Sequence, residues 1–267
     1  MSRVTKLFLG LMLAVLAACG PGPQHRPSGP AVMVGSVPTT VPQLGDRAPH
    51  AWVGGHPYAH PVHGIDVSRW QGDIDWNRVR NSGVSFVFIK ATEGGDHADP
   101  NFRRYWYETA QARIPRGAYH YFYFCRSGQQ QAEWFIRNVP RERGAMPPVL
   151  DLEWTVSRTC PRRPPSHEVL REAKIFKDIL HQYYGQRPII YTTVDFYRDN
   201  DMRSWPEEFW LRSVAGHPRI VYPGQRWTFW QYSGTGTVPG IRGDVDLNAF
   251  AGSPAQWRQY LNQRLQR

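Results

Sequence analysis

Five carboxylates stand at places where the sequence predicts that strands begin or end, and they offer its clearest chemistry. Asp66 lies in HGIDVS, Asp151 and Glu153 lie in PPVLDLEW, and Asp244 and Asp246 lie in GDVDLNAF. Because strand side chains alternate between two faces, Asp151 and Glu153 share a face while the leucine between them points the other way. Two carboxylates on one face of an apolar strand are costly to bury unless they share a proton or serve a reaction.

Glycoside hydrolysis is the reaction that best suits this cluster. It needs one protonated carboxylic acid to donate to the leaving oxygen and negative charge near an oxocarbenium-like centre. We expect repulsion from Asp151 to raise the pKa of Glu153 and keep it protonated. Divalent-metal binding for phosphoryl transfer is the rival use of several carboxylates, but the sequence has no glycine-rich phosphate loop of P-loop or Rossmann type. Capping or ion pairing is the plain structural alternative, and no cofactor is expected.

The elements that must position these carboxylates alternate between strand and helix from His63 onward. Repeated β–α units imply a parallel sheet with right-handed crossovers. Clear helices are fewer in the late part, which favours an irregular, flattened, TIM-like barrel of the α/β class as a single catalytic domain. In such barrels the chemistry lies at the C-terminal ends of the strands. The predicted strands are HGIDVS, VSFVFIK, RGAYHYFYF, PPVLDLEW, RPIIYTT, EFWLRS, WTFWQYS and DVDLNAF, and the predicted helices follow Asp75, Asp99-Pro100, Gly128 and a capping Ser166, with one more at the C-terminus.

Eight segments in a fixed order identify a family resemblance. The stretch from His63 to Phe250 resembles the family 25 glycoside hydrolases, the lysozymes typified by the Chalaropsis enzyme. One departure is FWLRSVAGHP, which stands where that family often has a Trp-x-Ala-Tyr-like stretch. The matching segments are GIDVSRWQG, FVFIKATEG, DPNF, RGAYHYF, PVLDLEW, PIIYTT, WQYS and GDVDLNAF.

The resemblance implies an activity and a set of roles. It implies a lysozyme (N-acetylmuramidase) that hydrolyses, with retention, the β-1,4 bond between N-acetylmuramic acid and N-acetylglucosamine in peptidoglycan, for cell-wall breakdown or remodelling. Glu153 matches the general acid and Asp151 its partner carboxylate. Asp66 and Asp246 match the other active-site aspartates, and Asp244 fits less well. The alternatives are a catalytically silent peptidoglycan-binding lipoprotein, or a hydrolase of another N-acetylated glycan.

Aromatic residues near the strand ends are candidates for substrate binding, because sugar rings present apolar faces that stack on aromatic rings. Core packing is the alternative for each of them. His120 lies between two strand tyrosines, and strand alternation predicts that it is buried and hydrogen-bonded, not catalytic. The substrate-binding candidates are Tyr119, Tyr121, Tyr191, Trp230 and Tyr232.

The N-terminal sequence predicts export from the cytoplasm and a membrane anchor. Residues 1–18 combine Arg3 and Lys6 with a short apolar stretch, which is typical of a signal peptide. Cys19 ends a Leu-Ala-Ala-Cys tetrad that resembles the bacterial lipobox, so we expect lipidation at Cys19 and a protein anchored to a membrane of the cell envelope, facing the periplasm or on the outer membrane. An ordinary secretory signal is the alternative. Residues 19–60 are rich in Pro, Gly and His and predict a flexible tether, and residues 61–267 form the catalytic domain.

The net charge and the two remaining cysteines bear on binding partners and on a disulfide. The formal net charge is +10, which attracts polyanions such as wall polymers or anionic lipid, but without basic runs or zinc-finger spacing we expect no nucleic-acid partner. We expect a monomer whose partner is the peptidoglycan strand. Cys125 and Cys160 predict a disulfide in an oxidising compartment. The histidines at 50, 56, 60 and 63 lack the spacing of a metal site, so no metal is expected.

Overall fold

The computed structural model describes residue 42 and residues 44–155 and 158–266. The predicted signal peptide, Cys19 and the first part of the predicted tether lie outside the described residues. Ten strands are found in the described chain: β1 Gly45–Asp46, β2 His63–Val67, β3 Phe86–Glu93, β4 His97–Ala98, β5 Arg116–Tyr121, β6 Val149–Leu152, β7 Ile189–Thr192, β8 Phe209–Arg212, β9 Phe229–Thr237 and β10 Val245–Phe250.

The helices alternate with the strands as the sequence predicts, and those between β7 and β9 are short. Within the described chain, no helix has the length and apolar character needed to cross a membrane. Three short 3-10 helices span 57–59, 69–71 and 202–204. The α-helices are α1 Trp76–Asn81, α2 Phe102–Gln111, α3 Gly128–Asn138, α4 Ser166–Tyr184, α5 Val194–Asp199, α6 Pro218–Val221 and α7 Pro254–Arg264.

Eight of the described strands close into a barrel in the order β9-β10-β2-β3-β5-β6-β7-β8, and β8 pairs again with β9. The neighbours from β2 round to β9 run parallel, whereas β10 is antiparallel to both β9 and β2. This arrangement confirms the predicted α/β class and the irregular, TIM-like barrel. The reversed β10 brings its N-terminal end to the rim where the parallel strands have their C-terminal ends, so Asp246 lies opposite Asp66.

Two apolar layers hold the barrel, and the alternation of β3 shows how one strand serves both. Phe86 and Phe88 point into the barrel, while Val87 and Ile89 pack outward under the helices. The inner layer is closed at the bottom by α7, whose Trp257 packs against Phe86. Large aromatic side chains fill this narrow interior, so the reactive groups are confined to the open rim.

The prediction of a flexible tether up to residue 60 is wrong for its last part. Gly45–Asp46 forms β1 and pairs with β9. Trp52 packs edge-on against Trp230 with a 5.3 Å centroid separation, and the Tyr58 hydroxyl donates to the Leu44 carbonyl. The Pro, Gly and His content concealed these two large aromatic side chains, whose burial against the sheet offsets the entropy of ordering the segment.

Two local predictions have different outcomes. His120 is fully buried, with Nδ1 at 2.7 Å from Thr92 Oγ1 and Nε2 at 3.0 Å from Gln131 Oε1, which confirms the structural role. Ser166 does not cap α4, because it is the first helical residue and its hydroxyl donates to the Asn200 carbonyl. Proline at the preceding position takes the cap, since its fixed φ suits an extended entry into the helix.

A disulfide joins Cys125, after β5, to Cys160, after β6, with Cα atoms 5.7 Å apart. It closes a loop of 35 residues and ties together two segments that follow neighbouring barrel strands. Replacing both cysteines by serine should lower the free energy of unfolding by about 2–4 kcal/mol, mainly because the unfolded chain regains freedom. Urea unfolding of the oxidised wild type and the double variant measures this difference. An unchanged midpoint would show that the bond contributes nothing to stability.

Candidate active site

One cleft at the C-terminal rim of the barrel, with a volume of about 300 Å³, contains all four carboxylates proposed as catalytic. They are Asp66 from β2, Asp151 and Glu153 from the end of β6, and Asp246 from β10. The other residues that line the cleft are Ser68, Trp70, Lys90, Tyr119, Tyr121, Tyr191, Trp210, Arg212 and Gln231.

The alternation of β6 places Asp151 and Glu153 in the cleft. Leu150 and Leu152 pack outward into the apolar layer beneath the helices, so the residues between and after them face inward. Asp151 is 5% exposed at the floor, and Glu153, one residue past the strand, is only partly buried. Glu153 is therefore the member of the pair that a substrate can reach.

A hydrogen-bond network surrounds Asp66 and favours its ionised form. Its Oδ2 accepts from Gln231 Nε2 at 2.9 Å and from Asn248 Nδ2 at 2.8 Å. The Tyr191 hydroxyl donates to Gln231 Oε1, and the Trp210 indole N–H donates to Asn248 Oδ1. Because the indole nitrogen only donates, the Asn248 amide must turn its NH₂ toward Asp66.

Burial and mutual repulsion spread the pKa values of the four acids. Burial raises the pKa of Asp66 to about 6, and the two amide hydrogen bonds oppose that rise. Burial raises the pKa of Glu153 to about 7, opposed by Arg212 and Lys90. Burial and the Glu153 charge hold the pKa of Asp151 well above its usual range. Burial and the Asp66 charge do the same for the pKa of Asp246.

The cause of the raised pKa of Glu153 differs from the sequence expectation. Repulsion by Asp151 was expected to be responsible, but desolvation of Glu153 is the largest cause. Repulsion within the pair instead acts on the deeper Asp151. Both causes favour the protonated forms of Asp151 and Glu153, and a protonated acid is what acid catalysis requires.

Two cations line the cleft and differ in their partners. Lys90 Nζ lies 2.6 Å from Glu93 Oε2, and Glu93 also accepts from the Tyr123 hydroxyl. A register shift in β3 between residues 90 and 92 lets Lys90 and Glu93 meet, whereas they would face opposite sides of a regular strand. Arg212, at the end of β8, has no ion pair with a described carboxylate.

Of the aromatic residues proposed for substrate binding, three line the cleft and two do not. Tyr119, Tyr121 and Tyr191 are in it. Trp230 and Tyr232 pack on the outer side of β9, where the Trp230 indole donates to the Ser213 carbonyl and the Tyr232 hydroxyl lies 2.8 Å from His63 Nδ1. Alternation along β9 turns the residue between them, Gln231, toward the cleft instead.

Residues that the sequence analysis did not propose also shape the site. Trp70 is 77% exposed and lines the cleft, just after β2, where it offers an open aromatic face. Trp210 lies at the floor and stacks on Phe88 at 4.5 Å. The signal for Trp70 was present in GIDVSRWQG, because a tryptophan that follows a strand by three residues falls on the rim where barrel sites form. Asp244 is outside the cleft and forms an ion pair with Arg47.

Several known proteins have sequences similar to this chain. The model of glycosyl hydrolases family 25 matches residues 65–241. Lysozyme M1 of Streptomyces globisporus is 35% identical over 267 residues, covering 93% of this chain and 88% of that protein. The uncharacterized protein YegX of Escherichia coli K12 is 36% identical over 211 residues, covering 77% of this chain and 75% of that protein.

Solved structures with a similar fold indicate the same family. A family 25 glycosyl hydrolase from Bacillus anthracis matches with a TM-score of 0.71 and 33% identity, over 80% of this chain and 98% of that one. The lysozyme of Streptomyces coelicolor matches with a TM-score of 0.67 and 35% identity, over 76% of this chain and 97% of that one. The sequence match, the barrel and the carboxylate cleft agree, and this chain belongs to glycosyl hydrolases family 25.

Proposed function

We propose that this glycoside hydrolase is an N-acetylmuramidase that cuts the β-1,4 bond between N-acetylmuramic acid and N-acetylglucosamine in peptidoglycan, with Glu153 as its general acid. The observation that carries the assignment of roles is the different environment of two acids in one cleft. Asp66 accepts hydrogen bonds from the Gln231 and Asn248 amides, which favour its ionised form. Burial raises the pKa of Glu153 to about 7 and favours its protonated form. One acid is thus stabilised as the anion and the other as the proton donor, as glycosidic cleavage requires.

The proposed cleavage uses each carboxylate differently. Glu153, at the accessible edge, donates its proton to the glycosidic oxygen as the bond to the anomeric carbon breaks. Asp66, whose ionised form two amide donors favour, supplies negative charge to the oxocarbenium-like centre. Asp151 and Asp246 complete the cluster, and the raised pKa of Asp151 favours its protonated form beside Glu153. Trp70 and Tyr121 line the cleft and are the aromatic residues proposed to contact the sugars.

The place of action is proposed from the sequence. The N-terminal apolar stretch followed by Leu-Ala-Ala-Cys supports lipidation at Cys19 and attachment to a membrane of the cell envelope. Because the described domain begins near residue 44, about 24 residues separate it from Cys19, and an extended chain of that length spans at most roughly 80 Å. The anchored enzyme would therefore act on wall within that distance of its membrane, as a monomer.

Product analysis tests the proposed function. Full-length protein is incubated with purified peptidoglycan, and the released fragments are identified by mass spectrometry after borohydride reduction. Fragments with reducing N-acetylmuramic acid ends are expected. Reducing N-acetylglucosamine ends would overturn the bond assignment, and release only from chitin strands would indicate a hydrolase of another N-acetylated glycan. No release, with protein retained on the wall pellet, would indicate a silent wall-binding protein.

A further inference from the structure

Arg212 lines the cleft but has no role in the proposed cleavage. It ends β8, it is partly buried, and its backbone is held on both sides. Its carbonyl accepts from the Tyr222 hydroxyl at 2.6 Å, and it pairs with Gln231 of β9. Among the described residues, no side-chain hydrogen bond of its guanidinium is formed, although the group lowers the pKa values of Asp66, Glu153 and Asp246 by its charge.

Lys90, the other cation in the cleft, differs from Arg212 because it has an ion-pair partner. Lys90 is neutralised by Glu93 at 2.6 Å, so its charge is already matched inside the protein. The raised pKa values of Asp151, Glu153 and Asp246 mean that these acids resist ionisation. Asp66 is hydrogen-bonded to the Gln231 and Asn248 amides and not to Arg212. A guanidinium that has no ion-pair partner among the described residues presents a planar fork of donors that matches a carboxylate.

The register of the sheet places Arg212 in the same layer as the proposed acid. Asp151 pairs with Tyr191 on β7, and Tyr191 pairs with Trp210 on β8. Glu153 and Arg212 each lie two residues further toward the rim on the same face of their strands. The backbones of β6 and β8 are two strand spacings apart, roughly 10 Å. A substituent on a sugar beside the scissile bond fits within that distance.

We propose that Arg212 is a specificity-determining residue that binds a carboxylate carried by the substrate next to the bond that Glu153 protonates. The proposal rests on the proposed muramidase function. Muramic acid differs from glucosamine by a lactyl ether that ends in a carboxyl group. That group is a free carboxylate on peptide-free strands, and on substituted strands the attached peptide brings its own carboxylates. Both sources present the same chemistry to Arg212.

The test measures KM and kcat on three substrates that separate these sources. They are peptide-free glycan strands, the same strands with lactyl carboxylates converted to amides, and uncrosslinked strands that carry stem peptides. The proteins are wild type, Arg212→Ala, Arg212→Lys and, as a matched control, the exposed Arg226→Ala. Loss of a charged hydrogen-bond pair should raise the KM of Arg212→Ala by roughly 10- to 100-fold on the substrate that supplies the carboxylate.

The pattern across substrates decides the outcome. A KM effect on free-carboxylate strands that vanishes on amidated strands, with partial rescue by lysine, identifies the lactyl carboxylate. An effect confined to peptide-bearing strands identifies a peptide carboxylate. An equal loss on all three substrates overturns the inference and makes Arg212 a residue that acts only on the acids. A wild type inactive on every substrate refutes the proposed function, whereas an active wild type matched by Arg212→Ala refutes only this inference.

Discussion

Glu153→Gln should lower kcat by roughly 10³-fold while the protein stays folded, because the amide keeps the shape of the side chain but has no acidic proton to donate. Release of reducing ends from peptidoglycan measures the rate, and circular dichroism checks the fold. The exposed Glu133→Gln, on α3, is the matched control and should keep wild-type activity. A Glu153→Gln protein with more than a tenth of wild-type activity would remove Glu153 from the acid role.

The same assignment predicts the alkaline side of the pH profile. Glu153 works in its protonated form, and burial raises its pKa to about 7. Activity should therefore fall as the pH rises through that value, about tenfold per pH unit once most of the acid is ionised. An activity that keeps rising to pH 9 would mean that a protonated Glu153 is not needed.

The sequence alone predicted the parts of the site that depend on one strand. Asp151 and Glu153 follow from the alternation of a single strand. Asp246 required the order of the strands as well, because it reaches the rim only through the reversal of β10, and the resemblance to a family supplied that information. Strand alternation therefore predicts Asp151 and Glu153, whereas Asp246 also depends on the strand order of the barrel.

The features that sequence reasoning missed have a common physical cause. In a closed barrel both faces of a strand are buried, so the alternation of apolar and polar residues does not show which face points inward. Trp230 and Tyr232 were proposed for the cleft, yet Gln231 is the residue of that strand that faces it. The ordered segment before residue 60 was missed because its contacts, such as Trp52 with Trp230, are distant in sequence.

Asp151→Asn should make the protein both less active and more stable. Loss of the partner carboxylate should lower kcat by roughly 10²-fold. Asp151 is 5% exposed, and its Oδ1 has no hydrogen-bond partner among the described residues, so its ionised form is poorly compensated. Because the acid resists ionisation in the folded protein but ionises freely in the unfolded chain, replacing it by a neutral amide should raise the free energy of unfolding at pH 7 by roughly 0.5–2 kcal/mol. The exposed Asp178→Asn on α4, which loses only a surface pair with Lys174, should change neither property measurably.

The pH dependence distinguishes this cause from ordinary repacking. The pKa of Asp151 is higher in the folded protein than in the unfolded chain, so the unfolded chain releases its proton first as the pH rises. The wild type therefore loses stability relative to Asp151→Asn as the pH rises above the usual aspartate value near 3.8, and the two should converge below it. Urea unfolding at pH 3.5, 5 and 7 measures this difference. A stability difference that is the same at all three pH values would show that packing, and not the raised pKa of Asp151, is responsible.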